Sequence, residues 1–475
     1  MNRLMKSFIS DNFLLENEFS QELYHSYAKT VPIIDYHNHL PVGEIADNRE
    51  FENMTRLWLE GDHYKWRAMR SLGLEEKYIT GSASDEEKFE KWAYTVPYTM
   101  RNPLYHWSHL ELKRYFDIDQ SLNERTAADI YKQCNSLLGS KDFFAQGLLK
   151  QMNVELLCTS DDPLDDLKEH QILARSDFGT SVLPTFRPDR FIDIEKAEFK
   201  NCIDQLAELT NTKIDDLDSL VASLRNRVSY FHDCGCRLAD HGLPYAYAHP
   251  FSRAEVDGII KKRLLNNRID KEEELKFKSA LLFYMGIIYA EFGWTSQLHL
   301  GPIRDTNKAM LDRIGINAGV DSIGDFPQAE HLANFLNHLN ENDGLPKTII
   351  YNSNPADNDI FATMTSNFSE EGIKTKVQFG AAWWFLDQMD GIENQIKSIS
   401  NMGLLSCSVG MVTDSRSFVS FPRHEYYRRV LCGVFGNDIK KGLLPADLDW
   451  IGGLIKDICY RNAKEFFHFP EKKTP

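Results

Sequence analysis

Eight short runs of β-branched and apolar residues, each closing on polar or turn residues, recur along this chain at 31–36, 154–159, 180–186, 234–240, 295–300, 347–351, 376–380 and 404–413. Between them lie stretches with helical spacing of apolar residues, among them 194–209, 217–234, 272–292, 327–340 and 392–402. Strands that alternate with helices pair in parallel, because each helix returns the chain to the same end of the sheet through a right-handed crossover. Eight such units predict an α/β fold, a closed (β/α)8 TIM-type barrel, with a doubly wound open sheet as the alternative. The fourth strand has two competing positions, 234–240 and 243–248, because periodicity does not separate short apolar runs.

The connection between the first two strands, 41–151, is far longer than an ordinary crossover and dense in helix formers and aromatics. It is expected to be a large helical insertion after the first strand. Since βα connections emerge at the catalytic face of a barrel, it should cover the active-site face. The chain then divides into 1–40, the N-terminal segment and first barrel strand; 41–151, the insertion; and 152–475, the remainder of the barrel. The insertion also has room for a subunit interface, and a homo-oligomer is expected.

A formal net charge of −16 opposes attraction to nucleic acid or to an anionic membrane surface, so the expected partner is a small molecule. The same field repels an anionic substrate, and a carboxylate ligand would need arginine or lysine close by. Eight cysteines with no CxxC pair fit reduced thiols. The first residues lack the apolar core of a signal peptide, no apolar run approaches the ~20 residues of a membrane span, and the expected location is the cytoplasm. Neither Gly-x-Gly-x-x-Gly nor a P-loop occurs, which argues against a nucleotide cofactor.

The sharpest local signal is Ile33-Ile34-Asp35-Tyr36-His37-Asn38-His39, a buried-type strand running into His-x-His. Residues two apart in a strand point to one side, so His37 and His39 can present two imidazoles to one cation. His299 ends another apolar run before Gly301, and serves either as a metal ligand or neighbour or as a hydrogen-bonded core histidine. Asp414 ends the run at 404–413 and is followed two residues later by Arg416; beside a metal its carboxylate can be both ligand and base, while the plain alternative is a helix N-cap. Arg187, after the third run, suits a carboxylate bidentately or pairs with Asp189. Trp383 and Trp384 either wall a sugar site or pack in the core. His232, Cys234, Cys236 and His241 lack the loop spacing of a structural zinc site and are expected to pack.

With these residues in place, the chain resembles the amidohydrolase superfamily and, more narrowly, the uronate isomerases, across nearly its whole length. The stretches that carry the likeness are 35–41 (DYHNHLP), 61–70 (GDHYKWRAMR), 102–111 (NPLYHWSHLE), 186–189 (FRPD), 378–384 (QFGAAWW) and 413–418 (TDSRSF). The resemblance implies one divalent metal ion, commonly zinc, with manganese or cobalt compatible with the same donors, and His37, His39 and Asp414 at the metal positions. His299 also falls on a motif position, its role left open. Tyr64, Arg187 and Arg416 are implied to meet the substrate, with Trp384 beside it. Neither fourth-strand candidate offers the lysine that bridges two metals in many amidohydrolases, which disfavours a binuclear hydrolytic centre. The implied activity is aldose–ketose isomerisation of hexuronates, D-glucuronate to D-fructuronate and D-galacturonate to D-tagaturonate, through an enediol. Asp414 is expected as the base at C2 and Tyr64 as the proton shuttle between O1 and O2. Arg187 and Arg416 would hold the substrate carboxylate. Metal-dependent hydrolysis of an amide or lactone is the enzymatic alternative, and sugar-acid binding without turnover the non-enzymatic one.

Overall fold

The computed structural model of the protein describes residues 7–471. Seven parallel strands occur in chain order: β1 (Ile33–Asp35), β2 (Val154–Cys158), β3 (Ser181–Leu183), β4 (Leu238–Leu243), β5 (Thr295–Leu300), β6 (Lys347–Asn352) and β7 (Val377–Phe379). They form a three-stranded sheet, β1-β2-β3, and a four-stranded sheet, β4-β5-β6-β7, with every neighbouring pair parallel. A parallel bridge from Phe186 to Ala239 joins β3 to β4. At the eighth position the chain hydrogen-bonds back to the start, with Asp414 N donating to His37 O at 3.2 Å and His39 N to Ser415 O at 2.9 Å. Sequential order with parallel neighbours and helical crossovers is the order of a (β/α)8 TIM-type barrel.

Two expected strands differ in detail. The helix Leu217–Asp233 runs on to a cap at Cys234, and Gly235 turns the chain at φ 98°, a backbone that favours glycine. The fourth strand therefore starts later than 234–240 and ends before 248, at Leu238–Leu243, which carries Asp240 and His241 in mid-strand. The run at 404–413 is not a laddered strand. Leu405–Cys407 forms a 3₁₀ turn, and Gly410 at φ 81° breaks the extended path. Thr413 N then donates to the Asp35 side chain at 2.8 Å instead of to a strand carbonyl.

Asp35 is the fastener that sequence alone did not expose. Fully buried, it accepts hydrogen bonds from Thr413 N and Oγ1 and from Asn38 Nδ2 at 3.1 Å, and lies 3.3 Å from His424 Nε2. It thereby fixes the His37–His39 segment against the segment that carries Asp414. Between β1 and β2 the chain is helical, with Met54–Leu59, His63–Ser71, Asp85–Thr95, Pro103–Phe116 and Ala127–Leu138 packed round buried Trp58, Phe89 and Trp92. Asp62 caps the helix that carries His63 and Tyr64 by accepting from Lys65 N at 3.0 Å.

Gly436, in the helix Pro422–Lys440, lets that helix lie against the helix Glu18–Glu22: an added Cβ would come within 2.5 Å of Ser20 N. Gly436→Ala is expected to cost about 1–3 kcal/mol in urea unfolding by overpacking. A loss under ~0.5 kcal/mol would show that the N-terminal helix yields freely.

Candidate metal and substrate site

β1 ends at Asp35 and the chain bends at His37, yet His37 and His39 turn toward the same point. Their Nε2 atoms lie 3.2 and 3.0 Å from the same oxygen, Oδ1 of Asp414. Asp414 holds a left-handed backbone, φ 47°, which aspartate tolerates better than most residues and which sets its carboxylate toward the two imidazoles. Trp383 Nε1 donates to the other oxygen, Oδ2, at 2.8 Å. Burial disfavours charge on Asp414, but the hydrogen bonds and charges of His37 and His39 hold its carboxyl well below the ordinary carboxylate range. Burial lowers His39 to about 4.

His299, on β5, stacks its ring 4.2 Å over Tyr351 and 4.4 Å from the ring of His37. Its Nδ1 lies 2.7 Å from Asp240 Oδ1, and its Nε2 is buried without a hydrogen-bond partner. Asp240, on β4, is the central acid: Arg187 Nη1 lies 3.0 Å from its Oδ2 and His37 Nδ1 4.0 Å away. Burial opposes its charge, yet Arg187, His37 and His299 keep it well below the ordinary range. The four expected metal positions thus fall, together with Asp240, into two overlapping groups, His37 with His39 and Asp414, and His37 with Asp240 and His299, each with ligand atoms within 4.8 Å of one another. His299 reaches the centre through Asp240 and does not group with His39 and Asp414.

The donor chemistry fits a divalent cation. Two imidazole nitrogens and a carboxylate oxygen converge, with the charge of Asp240 4.0 Å behind the opposite nitrogen of His37. The unpartnered Nε2 of His299 leaves one more buried lone pair or proton in need of a neighbour.

A cavity of about 620 Å³ opens on this centre, lined by His37, His39, His299, Asp414, Arg187, Arg416, Trp383 and Trp384. Arg187 makes the expected ion pair, with its Nε 3.3 Å from Asp189 Oδ2, and a second one to Asp240 through its Nη1. Arg416 differs, because among the described residues it pairs with no carboxylate, and burial lowers its pKa. Trp384 adopts φ 54°, costly for a bulky side chain, and carries the guanidinium of Arg304 4.5 Å above its ring. Tyr64 reaches the site from the helix His63–Ser71 and lines an adjoining cleft with Asp414 and Arg416. Arg304 and His63 line the cavity and Asp240 lies at its centre; no motif in the sequence singles out the first two, whereas the place of Asp240 near the end of a candidate strand let it face the pocket. His232, Cys236 and His241 pack separately, with His232 accepting from Trp294 Nε1 at 3.0 Å and His241 Nδ1 3.1 Å from Asp189.

A parallel α/β barrel whose first strand and eighth segment bring histidines and an aspartate to one cavity defines a barrel enzyme with a His–Asp centre. The sequence model of the glucuronate isomerase family matches residues 5–467, and the chain belongs to that family of isomerase enzymes. It is 52% identical over 463 residues to a uronate isomerase of Flavobacterium johnsoniae, covering 98% of this chain and 99% of that one. Identity is 50% over 467 residues to a uronate isomerase of Geobacillus thermodenitrificans, with 98% and 99% of the two chains covered. The crystal structure of a uronate isomerase from Thermotoga maritima superposes with a TM-score of 0.91 at 32% identity, over 97% of this chain and 99% of that one.

Proposed function

We propose that the protein interconverts an aldohexuronate and the corresponding ketohexuronate beside one divalent cation held by His37, His39 and Asp414. The observation that carries the reading is Arg416, a half-buried guanidinium that among the described residues has no carboxylate partner, lining the cavity of about 620 Å³ with Asp414 in an otherwise acidic protein, with Tyr64 in a small cleft beside it. A cation so placed awaits an anion, and a uronate brings one. Family membership supports the same chemistry.

A divalent cation of the zinc, manganese or cobalt kind supplies Lewis-acid polarisation of a substrate oxygen when bound there. Asp414 takes the C2 proton and returns it to C1, its Oδ2 held in place by the Trp383 indole. Tyr64 gives a proton to O1 and receives one from O2, so the enediol forms and collapses without net gain or loss of protons. Arg416 and Arg187 hold the carboxylate and offset the charge of the enediolate. Trp384 closes the cavity wall against the sugar's C–H face.

Arg416→Met is expected to raise KM for the uronate about 10–100-fold, the worth of one charged hydrogen-bonding partner, measured by initial rates. An unchanged KM would remove Arg416 from carboxylate binding. Product analysis separates the reading from hydrolysis: an isomerase turns the aldouronate into a ketouronate of equal mass, read by proton NMR, whereas a hydrolase leaves the uronate untouched and adds the mass of water to a lactone or amide.

A further inference from the structure

The hydroxyl of Tyr64 is not left to solvent. It donates to Oδ2 of Asp387 at 3.4 Å, and Asp387, at the end of the turn Trp384–Leu386, is buried. Arg423 lies behind both: its Nη1 is 3.8 Å from the same Asp387 oxygen, and its guanidinium sits 5.3 Å from the Tyr64 ring and 4.0 Å from that of Trp107. Nη1 of Arg423 also donates to the carbonyl of Thr413, the residue before Asp414, at 3.2 Å. At 3.8 Å the guanidinium is beyond hydrogen-bonding reach of Asp387, so the pair is too loose to repay the desolvation of two buried charges as a structural bridge.

We propose that Asp387 is the positioning and proton-exchange partner of Tyr64, holding a proton that it passes to the phenol as the phenol passes its own to the substrate. The inference rests on the aldose–ketose reading above. In the forward direction the carboxyl proton of Asp387 moves to the Tyr64 oxygen while the phenolic proton moves to O1 and C2 loses its hydrogen as a proton. On collapse of the enediol, the O2 proton moves to Tyr64, the phenolic proton returns to Asp387, and C1 receives a proton. The C2–H and O2–H bonds of the substrate are exchanged for C1–H and O1–H bonds, the O–H bonds of Tyr64 and Asp387 are restored, and no co-reactant is consumed. Asp387 acts through Tyr64 and touches no reacting atom itself.

The surroundings agree with this role. Burial is the main cause that pushes Asp387 up to about 8; the Arg423 charge pulls it down, the negative charge of Asp414 pushes the same way as burial, and the hydrogen bond from Tyr64 pulls it down in turn. A carboxyl in that range holds its proton at neutral pH and can release it. Burial above all keeps the Tyr64 phenol protonated; of the other charged groups round it, Asp414 and Asp62 act the same way, while Arg423 opposes them.

The test compares wild type, Asp387→Asn, Tyr64→Phe, the double variant and Asp387→Glu. Each is checked by circular dichroism and assayed for kcat and KM with glucuronate from about pH 6 to 9.5. Asp387→Asn is expected to lower kcat about 30-fold with KM within about twofold, a loss in the range that one proton-transfer partner supplies. The double variant should be no slower than Tyr64→Phe, since both changes cut one path. Wild-type kcat should fall as pH rises past about 8, where Asp387 loses its proton, and Asp387→Asn should lack that fall. Asp387→Glu, which keeps a proton-holding group and serves if the amide variant does not fold, should retain the alkaline fall. Losses that add in the double variant, an alkaline fall that persists in Asp387→Asn, or a kcat within about threefold of wild type would overturn the proposal. A wild type that forms no ketouronate would instead refute the isomerase reading. The carboxyl is then followed alone, by NMR of ¹³C-aspartate protein: a signal titrating near 8 that vanishes in Asp387→Asn supports proton holding, and its absence overturns it.

Discussion

Exchanging Asp414 for asparagine is expected to lower kcat for uronate isomerisation by about 10³-fold, within the 10²–10⁴ that a positioned base contributes, while the protein stays folded. The fold should survive because the amide matches the carboxylate in shape and its oxygen can still accept the Trp383 indole N–H, which now meets Asp414 Oδ2 at 2.8 Å. The left-handed backbone at φ 47° is also open to asparagine. What the amide loses is basicity and the negative charge that the two imidazoles at 3.2 and 3.0 Å are arranged to stabilise. Steady-state rates beside a thermal melt check this. Near-normal turnover in a folded variant would remove Asp414 as the base.

Stripping divalent metal with a chelator is expected to reduce turnover by about 10³-fold or more, and about one equivalent of zinc, manganese or cobalt per chain should restore it. The argument is the donor set: ligand atoms of His37, His39 and Asp414 lie within 4.8 Å of one another. A second readout needs no activity. A ligand that binds only the folded state at about 1,000 times its Kd adds about 4 kcal/mol to stability, so the melting temperature should rise on re-addition. His37→Ala should abolish that rise. A metal-depleted protein that turns over at the full rate would contradict the assignment.

How much of this was legible in sequence depends on how local each cause is. β5 and β6 are buried apolar runs, and both matched their expected spans within a residue. The fourth strand was displaced because Cys234 looks like strand but caps a helix, a choice made by the length of that helix and by Gly235. The run at 404–413 has strand composition, yet the buried side chain of Asp35 takes the Thr413 N–H that a neighbouring strand would have bonded. The same logic runs through the site. His37 and His39 could be paired from strand periodicity alone, whereas the tie between His299 and Asp240 needs the register of β4 on β5, where Gly242 lies opposite His299. The partners Asp387 and Arg423 meet Tyr64 across more than 300 residues of chain, and no local pattern announces such a contact.

The most direct test of the central claim is proton NMR of the purified protein with D-glucuronate, and separately D-galacturonate, in D₂O, with the metal content of the same sample determined alongside. The account predicts resonances of the ketouronate at the expense of the aldouronate, with deuterium entering at C1 in proportion to exchange of the transferred proton with solvent. An unchanged aldouronate spectrum from folded, metal-replete protein would contradict it.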